Sequence, residues 1–154
     1  MKVFDIITGT KKEAIISLVD NKDFPIIKKS KQFIFNWDKL QGKTIYKIVQ
    51  KGNADILGLM CTTDHGVGWD AIEIELLEVG KSNVGKGKKT DNIAGCLIAF
   101  ACRESIKAGH QGWVFLTPKT DLIKHYHSKY GFVDTGLTMA SDDINSRKLI
   151  NKYL

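Results

Sequence analysis

Two stretches of this 154-residue chain combine residue types that could do chemistry. The first is Gly80–Asp91, a lysine- and glycine-rich loop that runs into a strongly apolar segment with helical periodicity. A helix start leaves backbone N–H groups without intrahelical partners and carries the positive end of the helix dipole, so it attracts anions. Lys86, Lys88 and Lys89 add charge at that point, and a phosphate-bearing cofactor is the natural occupant. The loop is not one of the common nucleotide loops. Gly85–Thr90 lacks the spacing G-x-x-x-x-G-K-[ST], and no G-x-G-x-x-G occurs. The second stretch is the strand-like AIEIELLEV, Ala71–Val79, where alternation puts Glu73 and Glu75 on one face. Cys61, His65, His125 and His127 form no ligand set of closed spacing, so no metal is expected. Trp37, Trp69 and Trp113 read as packing residues.

The elements that must position these groups follow from periodicity. Lys2–Ile7 reads as a short strand. Thr10-Lys11-Lys12-Glu13 has the form of a capping box, and Ala14, Ile15, Leu18 and Val19 continue it as one helical stripe. Asn21–Pro25 is expected to break that helix, and Ile26–Leu40 to be partly helical. Thr44–Gln50 and Ile56–Thr62 flank a turn at Lys51–Asp55, the mark of a hairpin. The strand Ala71–Val79 alternates strictly until Leu76-Leu77 breaks the pattern, which signals a bulge or a change of facing. Asn92–Ala108 repeats apolar residues at i, i+3, i+4, i+7 and ends at Gly109. Trp113–Leu116 is an apolar strand, Asp121–Lys129 a helix capped by Thr120 and stopped by Gly131. Phe132–Met139 and Lys148–Leu154 read as closing strands about a turn at Ser141–Asn145. The order β-α-α-β-β-β-α-β-α-β-β describes a mixed α/β fold. Its central sheet is mixed and mostly antiparallel, with helices flanking it and a βαβ crossover in the second half.

Composition narrows the class. A chain of this length suits a single domain, expected over 1–154. At 43% hydrophobic and 26% charged residues, with two prolines and no low-complexity tract, disorder is not expected. The most apolar run, Ile93–Cys102, is too short to span a bilayer, and Met1–Glu13 lacks the apolar core of a signal peptide. A cytoplasmic protein without a membrane partner is the expectation. Cys61, Cys96 and Cys102 contain no C-x-x-C pair and read as small buried hydrophobes. The net charge of +6 permits nucleic-acid binding, but the basic loop has no interleaved aromatics, which disfavours it.

The unit strand, basic loop, apolar helix, strand resembles the GNAT class of N-acetyltransferases. Their signature is an apolar strand, a loop of the form Q/R-x-x-G-x-G/A, and a helix. Lys89-Thr90-Asp91-Asn92-Ile93-Ala94 falls on that loop, with Lys89 for Gln/Arg and Asn92 for the first glycine. Asn92 is a mild departure, since asparagine tolerates a left-handed backbone better than most residues. A second register, Ser82–Gly87, matches the glycines but starts the helix too late. Tyr126-His127-Ser128-Lys129-Tyr130-Gly131-Phe132 is similar to the family's F-Y-x-x-x-G-F segment.

The resemblance implies a GNAT-like fold, acetyl-CoA as cosubstrate and acetyl transfer to a primary amine, small or peptidic. It implies that Leu77, Glu78 and Val79 offer backbone groups to the pantetheine arm. Lys86, Lys88, Lys89, Thr90, Asp91, Asn92, Ile93 and Ala94 would hold the pyrophosphate. His127 falls where the family often has a tyrosine that protonates the departing thiolate, with Tyr126 as the alternative. Glu73 falls where some members carry a carboxylate base, and Trp69 is the tryptophan expected to border the acceptor. Glu73, Glu75, Glu78, Asp142 and Asp143 together suggest a cationic acceptor. The resemblance leaves room for a homodimer. Two other readings remain: an acyl-CoA-binding domain without catalysis, and a basic nucleic-acid-binding module.

Overall fold

In the computed structural model, which describes residues 1–154, nine strands form one sheet in the order β6-β1-β2-β3-β4-β5-β7-β9-β8. The strands are β1 (Lys2–Asp5), β2 (Thr10–Leu18), β3 (Thr44–Gln50), β4 (Ile56–Asp64), β5 (Ile72–Val79), β6 (Thr90–Asp91), β7 (Val114–Leu116), β8 (Val133–Asp134) and β9 (Met139–Ser141). The helices are α1 (Asp23–Ser30), α2 (Ile93–Lys107), α3 (Ile123–Tyr130) and α4 (Asp143–Tyr153). The chain divides into two compact units, Met1–Cys61 with Leu76–Leu97, and Thr62–Glu75 with Ile98–Leu154. β4, β5 and α2 run through both.

The first unit holds the antiparallel ladders of β1, β2, β3 and β6. β2 pairs with β1 (Lys2↔Glu13 to Asp5↔Thr10) and with β3 (Ala14↔Gln50 to Leu18↔Tyr46). The helix expected at Ala14–Val19 is therefore a strand, and Thr10 and Glu13 form no capping box. Two ladders satisfy backbone groups that an isolated short helix would hold only marginally, and β-branched Ile15 and Ile16 suit the pleat. Glu13 instead meets Lys51 Nζ at 2.7 Å. α1 begins inside the expected break, at Asp23, because Pro25 lies in its first turn, where no N–H is needed. A 3-10 turn, Trp37–Leu40, supplies the rest of the partly helical segment. One hydrophobic cluster of this unit is Phe24, Ile27, Trp37, Ile45, Leu59 and Cys61.

The second unit holds the crossover. β5 and β7 are parallel, paired Ile72↔Val114 to Ile74↔Leu116, with α2 between them in the chain. β7 pairs antiparallel with β9, and β9 with β8. The expected strand Phe132–Met139 is thus a short hairpin, turned where the Thr135 N–H donates to Thr138 O. The strand expected at Lys148–Leu154 is the end of α4. Asp142 caps that helix by accepting the Asn145 N–H at 2.8 Å, and Ser146, Leu149 and Tyr153 form its buried face at helical spacing. α3 starts without the Thr120 cap, from a 3-10 turn at Thr120–Leu122. No helix is long and apolar enough to cross a membrane.

Candidate active site

The first unit contains the strand end, the basic loop and the start of α2. The ladder between β5 and β7 stops at Ile74, so the β7-side edge of β5 has no paired strand from Glu75 to Val79. The segment Leu77–Val79 is half-buried along its length, which is what the broken alternation at Leu76-Leu77 becomes. On the other side β5 stays closed, with Gly80 N–H donating to Leu57 O at 2.9 Å. Exposed backbone groups on one edge of an otherwise paired strand suit an extended ligand that makes its own strand-like hydrogen bonds.

Glu78 has a separate task. Its carboxylate accepts the Ile34 N–H at 2.6 Å and the Trp37 indole N–H at 2.8 Å, fixing the segment between α1 and the 3-10 turn. That segment borders a cleft of about 180 Å³ lined by Phe24, Ile27, Phe33, Phe35 and Trp37 among others. Its carboxylate is therefore committed and does not belong to an acidic acceptor face.

The loop after β5 is tied down at both ends. Thr90 is buried and its N–H donates to Asn83 Oδ1, Lys89 N–H donates to Ser82 O, and Thr90 and Asp91 pair with Asp5 and Phe4 of β1. Lys88 lies 2.8 Å from Asp91, while Lys86 and Lys89 are exposed. Asn92 takes φ +68°, a left-handed backbone that asparagine tolerates better than most residues. Its carbonyl accepts the Cys96 N–H, so the helix begins at Ile93 and the amides of Ile93, Ala94 and Gly95 are its unsatisfied first turn.

A residue passed over in the sequence places that turn. A Cβ on Gly58 of β4 would stand 2.8 Å from Ile93 Cγ2 and 3.3 Å from both Glu78 O and Leu97 Cδ1. The glycine lets the first turn of α2 lie directly on the β4–β5 pair beside Glu78. The signal was available: a glycine inside an apolar strand, ILGLMCT, marks close approach.

The second unit carries a different cluster on one face of the sheet. Glu73 is paired in register with Phe115, and both are half-buried while Ile72, Ile74, Val114 and Leu116 bury the opposite face. His65 Nε2 lies 2.7 Å from Glu73 Oε2. The His65 ring stacks on Trp69 at 5.2 Å between centroids and tilts against Phe115 at 5.4 Å. Glu75 accepts a hydrogen bond from the Thr63 hydroxyl. Trp69 is 68% exposed, so its ring closes the cluster toward solvent. Asp142 and Asp143, expected near an acceptor, serve α4: the first caps it and the second pairs with Arg147 at 2.7 Å.

α3 ends in a left-handed Gly131, with Gly131 N–H donating to His127 O and Phe132 N–H to Tyr126 O. His127 is exposed and its Nδ1 lies 3.0 Å from Phe132 O. That carbonyl can only accept, so Nδ1 carries a proton and Nε2 is left for other chemistry. Tyr126 is half-buried among His125, Tyr130 and Phe132, and burial pushes its phenol up, keeping it protonated. Burial also pushes the Cys96 and Cys102 thiols up to about 11, which argues against a thiolate nucleophile.

No protein-family model matches the chain, and no curated protein matches it. Solved structures do. Spermidine N-acetyltransferase from Vibrio cholerae, in complex with CoA and spermine, superimposes with a TM-score of 0.64 at 13% identity, covering 87% of this chain and 98% of that one. A GNAT-family acetyltransferase from Desulfovibrio desulfuricans gives 0.64 at 8% identity, over 85% and 99%. A mutant form of the AtaT toxin bound to the C-terminus of the antitoxin AtaR and acetyl-CoA gives 0.55 at 9% identity, over 90% and 99%.

Proposed function

We propose that this chain, which has the GNAT acetyltransferase fold, moves an acetyl group from acetyl-CoA directly to a primary amine, acting as one domain over 1–154. The observation that carries the reading is the contact of Gly58 with Ile93 and Glu78. It holds a helix N-terminus, fit for a pyrophosphate, beside a strand edge fit for a pantetheine arm. In this reading Leu77, Glu78 and Val79 bind that arm through their backbone. The amides of Ile93 and Ala94 bind the pyrophosphate, with Asn92 setting the turn. Lys86, Lys88 and Lys89 supply charge, and Thr90 and Asp91 frame the loop by pairing with β1. The neighbouring structures solved with CoA or acetyl-CoA support the choice of cosubstrate.

The acceptor is read from the second cluster. Trp69 and Phe115 offer ring faces and Glu73 a carboxylate, a combination suited to an ammonium group. The spermidine acetyltransferases among the neighbours act on such amines. An amine of pKa about 10.4 must lose a proton before it attacks, at a cost of roughly 4–5 kcal/mol at pH 7. Glu73 lowers that cost. The thiolate then leaves with a proton from His127, whose Nε2 donates only as the imidazolium because Nδ1 is held by Phe132 O. Tyr126 is the reserve donor.

Calorimetry with acetyl-CoA, followed by mass spectrometry of an amine panel of polyamines and lysine peptides, tests the reading. Acetyl-CoA binding with acetylation of at least one primary amine is expected. Silence in both assays defeats it. Binding without any transfer would leave an acyl-CoA-binding domain.

A further inference from the structure

The pairing of His65 with Glu73 goes beyond a lone carboxylate base. We infer that His65, held by Glu73, is the group that takes the proton from the acceptor amine, an assignment that rests on the acetyl-transfer reading above. Glu73 Oε2 sits 2.7 Å from Nε2, and a carboxylate can only accept, so Nε2 carries the proton. Nδ1 then bears the lone pair. The ring plane is set by Trp69 stacked at 25° on one side and by Phe115 tilted at 37°. Both centroids lie within cation–π range, so the imidazolium formed in turnover meets two ring faces and one carboxylate. The His65 side chain keeps 30% of its surface exposed, enough to be reached.

The surrounding charges are consistent with this role. Asp64, next to His65 on β4, is engaged by Gly66 N–H and by His110 Nε2 at 2.7 Å. Asp70 lies 3.9 Å from His110 Nδ1, and Glu75 is bonded to Thr63. Glu73 is the acid hydrogen-bonded to the His65 imidazole, and Asp64 acts on it through space. An imidazole is also the better-matched base as a class. Its reference pKa of about 6.5 lies nearer neutrality than the roughly 4.3 of a glutamate.

The step balances as follows. The acceptor ammonium gives one proton to His65 Nδ1. The freed amine attacks the thioester carbonyl, the N–C bond forms and the C–S bond breaks. The new amide nitrogen loses its second proton to water, and the thiolate takes one from His127. Both imidazoles return to their starting forms through solvent, with one proton released overall.

The test is the pH dependence of kcat/KM for wild type, H65Q and E73Q, using spermine or whichever amine of the panel turns over fastest. Wild type is expected to turn over in the neutral range. H65Q should lose about 100-fold or more near pH 7, and the ratio of wild type to H65Q, in which the shared need for a protonated His127 cancels, should fall as pH rises and free amine accumulates. E73Q keeps a hydrogen bond to the ring without its charge and should fall between the two. Acetyl-CoA affinity should be the same in all three proteins. Nitrogen-15 spectra of the wild-type imidazole should show His65 protonated at Nε2 and bare at Nδ1. Acetylation by H65Q with a wild-type profile, or an Nδ1–H tautomer, overturns the base and leaves acetyl transfer standing. A wild type that does not bind acetyl-CoA overturns both.

Discussion

Gly58 lies directly against Ile93, with 2.8 Å between Ile93 Cγ2 and the position a Gly58 Cβ would occupy. That methyl is on a branched Cβ and has little freedom to move aside. Gly58→Ala should therefore displace the first turn of α2 and cost about 1–3 kcal/mol, as overpacked cores do. Acetyl-CoA affinity should fall along with stability. Urea titration and calorimetry check both, and an alanine variant with unchanged affinity would detach the phosphate site from this contact.

Lys86, Lys88 and Lys89 are expected to serve the cofactor. Replacing all three by alanine should weaken CoA more than dephospho-CoA, which already lacks one phosphate, and the difference should shrink as salt screens these side chains. Salt-steep duplex binding lost in the same variant, with CoA affinity intact, would assign the loop to nucleic acid instead.

His127→Ala should lower turnover by about 100- to 10,000-fold and spare acetyl-CoA affinity. Tyr126→Phe should act weakly, because its ring lies among His125, Tyr130 and Phe132 and its burial role survives. Steady-state kinetics on both variants decide the donor. The reverse ranking moves it to Tyr126.

Asp64 gives a pH-dependent contribution to stability. The Gly66 N–H bond and His110 hold its carboxyl below the usual carboxylate range. A lowered folded pKa stabilises above the unfolded value, and that stability is lost as pH falls through the folded value. Asp64→Asn should therefore cost stability at neutral pH and nothing at the acid end, below both values. Urea midpoints across the acid range measure it, and a penalty independent of pH would refute it.

Asp142→Ala should cost about 1 kcal/mol by removing the cap on Asn145 N–H. Thermal melts read the loss, and Asp142→Ser should restore most of it.

Local signals in the chain were enough for the elements whose pattern and burial agree. Ile56–Asp64, Ile72–Val79 and Ile93–Lys107 lie close to where alternation and helical periodicity put them, and Asn92 has the left-handed backbone that asparagine tolerates. The broken alternation at Leu76-Leu77 corresponds to a run, Leu76–Val79, that is half-buried throughout. Three features were not local. Thr10–Leu18 is a strand because β1 and β3 satisfy its backbone from both sides, a partnership that an amphipathic stripe cannot reveal. Lys148–Leu154 is helical because Asp142 caps a turn whose buried face is only defined by what packs on it. The pairing of His65 with Glu73 joins the residue just past the end of β4 to one on β5, eight residues apart in the chain. Sequence periodicity states which way a side chain faces. Which groups meet across a sheet is set by register, and register is fixed only when the strands have paired.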